Sequence, residues 1–465
     1  MLGDTIAAVS TPRGKGGVAL LRVSGDRAIE ISEKVFCAKN KKSLADLPAR
    51  QAIYGSILAP DESGAFVPVD DGIAVVFRAP ASFTGEDTVE LTCHGGILLT
   101  EKILAALFAA GAKPAMAGEF TRRAFLNGKL GLSAAEALGL MLDAKTDTQL
   151  TLAHTGMSGK LEAQMENIYA SLRRLLASVY AKIDYPDEDL ADLSESELLA
   201  EIEATRASLE SLLSTYTTGR SIAEGIATVI CGRPNAGKSS LYNRLVGRDA
   251  AIVTEVEGTT RDVLSETVPF GKVTLRLFDT AGLHESDDPV ERIGIDRAKK
   301  TLDEAELVFA LFDGTKQPDE DDFKLTESLS GRKEATIALV TKCDLWSGED
   351  ETLAFCKKHF EKVLSISTES GEGLAELEEL VETLFVDGSI DLRKDPILTS
   401  ARQYAAVLGA KEAAARAKDA LLSGISVELV CSDLEKAMES LSELDGRSVS
   451  EDVVSEIFSH FCVGK

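Results

Sequence analysis

The stretch GRPNAGKSS, residues 232–240, carries residue types suited to holding phosphate. It follows the run IATVIC and precedes LYNRLVG, so the pattern predicts a strand, a glycine-rich loop and the start of a helix. Its spacing is GxxxxGK[ST], with Gly232, Gly237, Lys238 and Ser239 in the four defining places and Asn235, Ala236 and Ser240 around them. Glycines let backbone N–H groups turn toward phosphate oxygens, the lysine adds positive charge, and the serine hydroxyl can ligate Mg²⁺. An ordinary Gly-rich turn between a strand and a helix is the competing reading of this string.

Three further stretches follow in the order a nucleotide switch needs. GTTRD (258–262) offers Thr260 as a second hydroxyl for Mg²⁺. DTAG (279–282) ends a predicted strand, so Asp279 can hold the metal through water, Gly282 can approach a γ-phosphate, and Thr280 and Ala281 lie between them. TKCD (341–344) ends another; Asp344 can accept hydrogen bonds from guanine N1 and its exocyclic amine, and Thr341, Lys342 and the later Ser367 are further candidate GTP contacts. Each is weak alone. In this order, each beside a strand, they resemble the Ras-like GTPase superfamily, which implies GTP and Mg²⁺ as ligands. Two departures matter. Thr341 stands where most relatives have asparagine, which narrows the margin for guanine. Leu283 follows DTAG where Ras-type enzymes place a water-orienting glutamine, so another group must orient the water.

The elements that must position these residues fall into four segments. Residues 1–119 mix short strands (17–25, 51–58, 71–80, 87–96) with two helical stretches and read as an N-terminal α/β domain. Residues 120–219 are Ala- and Leu-rich and helical, with an acidic break at 185–193. Residues 220–385 alternate strands and helices, the pattern of a doubly wound parallel sheet. Residues 386–465 are helical again. The expected fold is multidomain, α/β plus all-α, with the GTPase sheet inserted into a helical domain built from both flanks.

The chain has 465 residues and is 44% hydrophobic but only 5% aromatic. No apolar run approaches the ~18–20 residues needed to span a bilayer, and the start lacks a basic-then-apolar leader, so a cytoplasmic protein is expected. The seven cysteines are scattered, with no CxxC pair, which argues against a disulfide framework or structural zinc. The net charge of −26 opposes nucleic-acid binding by the chain as a whole. Any RNA contact must come from a local patch, a partner or a dimer surface.

Nearly the whole chain resembles the bacterial and organellar MnmE (TrmE) family of tRNA-modification GTPases. The resemblance is carried by DTIAAVSTPRGKGGVALLRVSG (4–25), FTGEDTVELTCHGG (83–96), GEFTRRAFLNGKLGLSAAEA (118–137), the nucleotide motifs, VERIGI (290–295) and the terminal FCVGK. It implies hydrolysis assisted by K⁺, held by Asn235 with Thr254, Val256 and Thr259, in a loop that orders when two GTPase domains meet. That ion would stand where an arginine finger otherwise neutralises developing charge. Glu291 would position the attacking water; on spacing alone it reads as a solvated first-turn carboxylate. The resemblance also implies 5-formyltetrahydrofolate at Arg22, Glu90, Lys129 and Lys465. Without it, Arg22 and Glu90 read as a surface ion pair and Lys129 as a solvated loop lysine. Cys462 would stand near the one-carbon group as acid, base or nucleophile. The implied partners are a second copy through the N-terminal domain, an FAD-dependent protein, MnmG (GidA), and tRNA. The implied product carries a carboxymethylaminomethyl or aminomethyl group on C5 of the wobble uridine. Arg122 and Arg123 are candidate tRNA contacts.

Other classes stay open at this stage. An RNA- or ribosome-assembly switch of the Era/EngA type shares the GTPase core but usually adds a basic RNA-binding domain, whereas these flanks are helical and acidic. A dynamin-like scaffold would need a basic amphipathic face, and none stands out. The terminal helix has its own structural reading: a capping box at Ser448 and Glu451, an apolar stripe of Val453, Val454, Ile457, Phe458 and Phe461, Gly464 as its stop, and Lys465 against its dipole.

Overall fold

The computed structural model describes residues 3–184, 194–247, 265–278, 302, 304–346, 351–424, 427–446 and 449–464. The chain divides into two compact units, one of Met1–Gly139, Met165–Leu176 and Cys431–Lys465, the other of Leu140–Gln164 and Ala177–Val430.

Alternating apolar residues in the first hundred positions build the sheet of the first unit. Its strands are β1 (Ile6–Val9), β2 (Val18–Ser24), β3 (Phe36–Ala38), β4 (Ala52–Pro60), β5 (Phe66–Phe77), β6 (Thr88–His94) and β7 (Lys113–Pro114). The order is β3-β4-β5-β6-β2-β1-β7, antiparallel throughout except for β1 beside β7. Along β4 the residues alternate between buried and outward-facing, as a half-buried strand requires. The buried face carries the helices Ala28–Val35 and Ile97–Ala109, whose Ile31, Val35, Ile103 and Leu107 join its core. The sequence-level strands correspond to β2, β4, β5 and β6. β1, β3 and β7 span two to four residues each, too short for a periodic signal.

The end of the chain belongs to this unit. The helix Glu451–Ser459 buries Val454 and Phe458 with Phe461, Leu132 and Ala135, so the predicted stripe forms a core. Its cap differs from expectation: Ser450, not Ser448, is the N-cap, accepting from the Val453 N–H; Ser448 lies outside the described residues. Gly464 is not the helix stop either, because the helix ends five residues earlier. The tail instead runs back beside the sheet, with Val463 bridged to Ala117 and the Ser10 hydroxyl donating to the Gly464 carbonyl at 2.8 Å. Glycine is needed there because φ is +102° and a Cβ would stand 2.3 Å from the Val9 carbonyl oxygen.

Arg123 also departs from expectation. It is buried, pairing with Glu86 at 3.1 Å and Glu119 at 2.8 Å and donating to the Asp4 carbonyl, while Arg122 pairs with Glu451. Arg123 is therefore a structural cation that ties loop to helix, and it offers nothing to RNA.

In the second unit, near-continuous apolar runs make the central strands of a six-stranded sheet, which are buried on both faces. The six are β8 (Ile226–Gly232), β9 (Ser265–Phe270), β10 (Val273–Phe278), β11 (Leu307–Asp313), β12 (Thr336–Thr341) and β13 (Lys362–Ile366), and the buried central ones are β8, β11 and β12. The order is β13-β12-β11-β8-β10-β9, parallel except for β9. Every residue of β11 and β12 is buried, as parallel strands with helices on both sides demand. β9, SETVPF, escaped the sequence reading because it is polar at its start and carries Pro269, which only an edge strand tolerates.

Helices from both flanks of this sheet pack together. Glu195–Ser214, started by a Ser194–Glu197 capping box, lies along Ala401–Leu422, whose Ala406, Ala410, Ala413 and Ala417 are fully or almost fully buried. Small side chains allow the close approach, and the pairs Lys411–Glu210 and Lys418–Glu203 border it. The incoming and outgoing chains meet where Thr215 and Thr218 hydroxyls accept from the backbone N–H groups of Leu398 and Asp387. No described helix is long and apolar enough to cross a membrane.

Candidate functional site

β8 lies between β11 on one side and β10 on the other, so the direction of strand succession reverses beside it. In open α/β sheets the crevice at such a point, at the carboxyl ends of the strands, is where ligands bind. The loop 232–237 leaves β8 there, and the turns that follow β12 and β13 leave the same edge of the sheet.

Within the loop, Asn235 adopts a left-handed conformation (φ 64°) and is exposed with Pro234, while Ala236 is buried. The helix Lys238–Gly247 begins at once, placing Ser239 and Ser240, both exposed, in its first turn. Unpaired N–H groups and the helix dipole make that end attractive to anions. Lys238 Nζ donates to the carbonyls of Gly232 and Arg233 at 2.8 Å each, and partial burial holds its pKa below the usual lysine value. Beneath the loop, full burial pushes the Cys231 thiol up to about 12.

The turn after β12 is tied to this loop at two points. Thr341 Oγ1 donates to the Ala236 carbonyl at 2.8 Å, with the Phe312 carbonyl at 3.2 Å. The Thr341 hydroxyl thus reaches the phosphate loop from the first position of the TKCD turn. Lys342, also left-handed, donates from Nζ to the Asn235 carbonyl at 3.1 Å. Asp344 is exposed and open to a ligand. Ser367 is buried just beyond β13, where its hydroxyl accepts from the Ser370 N–H and shapes the neighbouring turn. The structure therefore brings Asn235 to Ser240 together with Thr341 and Lys342, with Asp344 on the same turn. Thr254, Val256, Thr259, Thr260, Asp279, Thr280, Ala281, Gly282 and Glu291 lie outside the described residues.

Two residues absent from the sequence reading stand in this site. Asp313, the last residue of β11, is 1% exposed and pairs with Lys342 at 2.7 Å. The signal was an aspartate closing an all-apolar strand, the same signature that marked Asp279. Arg233 pairs with Asp319, and with Asp322 at 3.1 Å, at the N-terminus of the helix Glu320–Ser328, fastening the phosphate loop to that helix.

In the first unit, Arg22 and Glu90 are cross-strand neighbours on β2 and β6, paired at 2.8 Å and both largely shielded. The Arg22 guanidinium lies 5.4 Å from the Phe83 ring centroid and 5.6 Å from that of Phe120. Arg22, Phe83, Ser10, Thr11 and Gly464 line a cleft of about 330 Å³. The tail thus reaches the cleft through Gly464. Cys462 is exposed and does not line it, and Lys129, exposed, donates to the Pro80 carbonyl at 2.9 Å. Lys465 lies outside the described residues.

Comparison with known proteins agrees with these features. The family model of the GTP-binding protein TrmE N-terminus matches residues 5–129, and that of the MnmE helical domain matches 132–462. The tRNA modification GTPase MnmE of Acetivibrio thermocellus is 37% identical over 462 residues, covering 99% of both chains. The protein of that name from Lactobacillus delbrueckii subsp. bulgaricus is 40% identical over 463 residues, covering 99% of this chain and 98% of its own. Among solved structures, an Aquifex aeolicus Era variant bound to GDP.AlF4− is 24% identical over 40% of this chain and 65% of its own, at a TM-score of 0.29. With relatives matched end to end and both family models in place, the chain belongs to the MnmE family of tRNA modification GTPases.

Proposed function

We propose that this GTPase acts on the wobble uridine of certain tRNAs, with an FAD-dependent MnmG (GidA) partner, to place a carboxymethylaminomethyl or aminomethyl group on C5. The observation that carries the nucleotide part is the junction of the two loops, where Thr341 and Lys342 bond to the carbonyls of Ala236 and Asn235. That junction holds the turn bearing Asp344 against the phosphate loop, so guanine and phosphates are met by one connected surface.

In hydrolysis, water attacks the γ-phosphorus, the bond to the bridging oxygen breaks, and GDP leaves with the electron pair. Lys238 and the N–H groups of the helix start take up charge on the phosphate oxygens. Ser239, exposed in that first turn, fits a Mg²⁺ ligand, with Thr260 and Asp279 as its proposed companions. When bound, the metal neutralises charge on the β- and γ-phosphates. Asn235, left-handed and exposed in the loop, suits the proposed K⁺ role with Thr254, Val256 and Thr259. Glu291 is proposed to orient the water. The reading also includes a dimer through the N-terminal domain and 5-formyltetrahydrofolate in the first unit. Arg22, which lines the cleft and pairs with Glu90, supports that ligand, because a pterin edge presents both donors and acceptors.

The test is GTP turnover in K⁺ against Na⁺ buffer, together with wobble-uridine analysis in a deletion strain. Faster hydrolysis in K⁺, a Glu291→Ala variant that binds GTP but turns over at least about a hundredfold more slowly, and unmodified uridine are expected. Equal rates in the two salts would remove the K⁺ role, and normal uridine would remove the modification.

A further inference from the structure

We propose that Asp313 is a positioning residue of the nucleotide site: acting through Lys342, it holds the phosphate loop at Asn235 in register with the turn that carries Asp344. The inference rests on the reading of these loops as the GTP site.

The strand order supplies the reason. β11 lies between β8, which feeds the phosphate loop, and β12, which feeds the TKCD turn, so the last residue of β11 faces both. Asp313 Oδ1 accepts from the Thr315 N–H at 3.0 Å and from its hydroxyl at 2.6 Å. Those two bonds orient the carboxylate, and Oδ2 then accepts from Lys342 Nζ at 2.7 Å. The same ammonium donates to the Asn235 carbonyl at 3.1 Å.

Asn235 and Lys342 are both non-glycine residues with positive φ, 64° and 62°. Such a conformation needs surrounding contacts to hold it. One ammonium joins the two strained residues, and one buried carboxylate fixes where that ammonium stands. Without the carboxylate, the Lys342 side chain, about a third exposed, is drawn toward water, and the Asn235 carbonyl loses its donor. Thr341 still grips Ala236 one residue away, so the loop is loosened rather than released. Asp313 also sits apart from guanine recognition, which belongs to Asp344. Its removal should change how tightly nucleotide is held without changing which base is chosen.

The experiment is stopped-flow dissociation of mant-GDP from the full chain, as wild type, Asp313→Asn, Lys342→Met and the double variant, with melting temperatures alongside. Loss of one charged hydrogen bond should speed release about tenfold in Asp313→Asn. The double variant should release no faster than Lys342→Met, since one residue acts through the other. The preference for mant-GDP over mant-IDP should stay at the wild-type value. Multiplicative effects in the double variant, or a lowered melting temperature with unchanged release, would overturn the proposal. If Asp313→Asn does not fold, Thr315→Val keeps the carboxylate and removes the hydroxyl bond that orients it, and should speed release about threefold; unchanged release would again overturn it. Failure of the wild type to bind mant-GDP, or binding insensitive to Lys238→Ala, would instead remove the parent assignment of the loops.

Discussion

Cys462 and Cys37 are exposed, whereas Cys93, Cys231, Cys356 and Cys431 are buried. Burial, with the Asp70 charge nearby, pushes the Cys93 thiol up to about 11, and burial pushes Cys231 to about 12. Because the thiolate is the reactive form, an alkylating reagent at neutral pH should label native protein quickly at Cys37 and Cys462 and leave Cys231 unmodified until unfolding. Peptide mass mapping over time checks this; early modification of Cys231 would contradict it. Asp313 supplies a second prediction at this scale. Burial raises its pKa, but hydrogen bonds from Lys342 and Thr315 outweigh that and leave it below the usual aspartate value. A depressed folded pKa means stability that is present above the unfolded value of about 3.9 and lost as pH falls through the folded value. The stability difference between wild type and Asp313→Asn should therefore be constant from neutral pH to about pH 5 and shrink below about pH 4. Denaturant titrations across that range decide it.

Among the elements, the crossing of Tyr216–Ala223 with the segment at Leu398 is set by Gly219, where a Cβ would stand 2.0 Å from the Leu398 carbonyl oxygen. Gly219→Ala should destabilise the second unit by about 1–3 kcal/mol through overpacking, despite alanine's better helix propensity. An unchanged denaturation midpoint would show that the backbone yields there. In the first unit, Arg123→Ala leaves Glu86 and Glu119 shielded without their cation and should cost about 3–5 kcal/mol. A chemical-denaturation curve within about 1 kcal/mol of wild type would return Arg123 to the surface role that TRRAF suggests by itself. That motif shows why pairs of charges are poorly read from sequence: helical spacing turns Arg122 and Arg123 about 100° apart, sending one outward and one inward.

For the whole molecule, two compact units and two candidate sites make ligand effects separable. A ligand stabilises the folded state that it binds, by about 2.7 kcal/mol at a hundred times its dissociation constant. Mg²⁺–GDP should slow amide exchange in β8, the phosphate loop and the turn after β12. 5-Formyltetrahydrofolate should slow exchange around β2 and the tail at residues 462–464. Hydrogen-exchange mass spectrometry with each ligand checks the assignment, and a reversed pattern would exchange the roles of the two sites.

Much of this was legible before any coordinates. Strand periodicity, the GxxxxGK[ST] spacing and strand-ending aspartates are local patterns, because a loop that cradles phosphate must be built from neighbours in the chain. The α/β and helical segments could be read for the same reason, since apolar period follows directly from the backbone repeat. What folding added lies between residues far apart in sequence. Short β1 and β3 exist only because the longer β2 and β4 offer them partners, and β7 only because β1 does. The returning tail depends on where Val9 and Ser10 stand. Arg123 was turned inward toward Glu86 and the Asp4 carbonyl, and Asp313 became the carboxylate between two loops because sheet order set its neighbours. Residue types and spacing dictate the chemistry that a local segment can perform, while long-range packing selects the side chains that hold it in place.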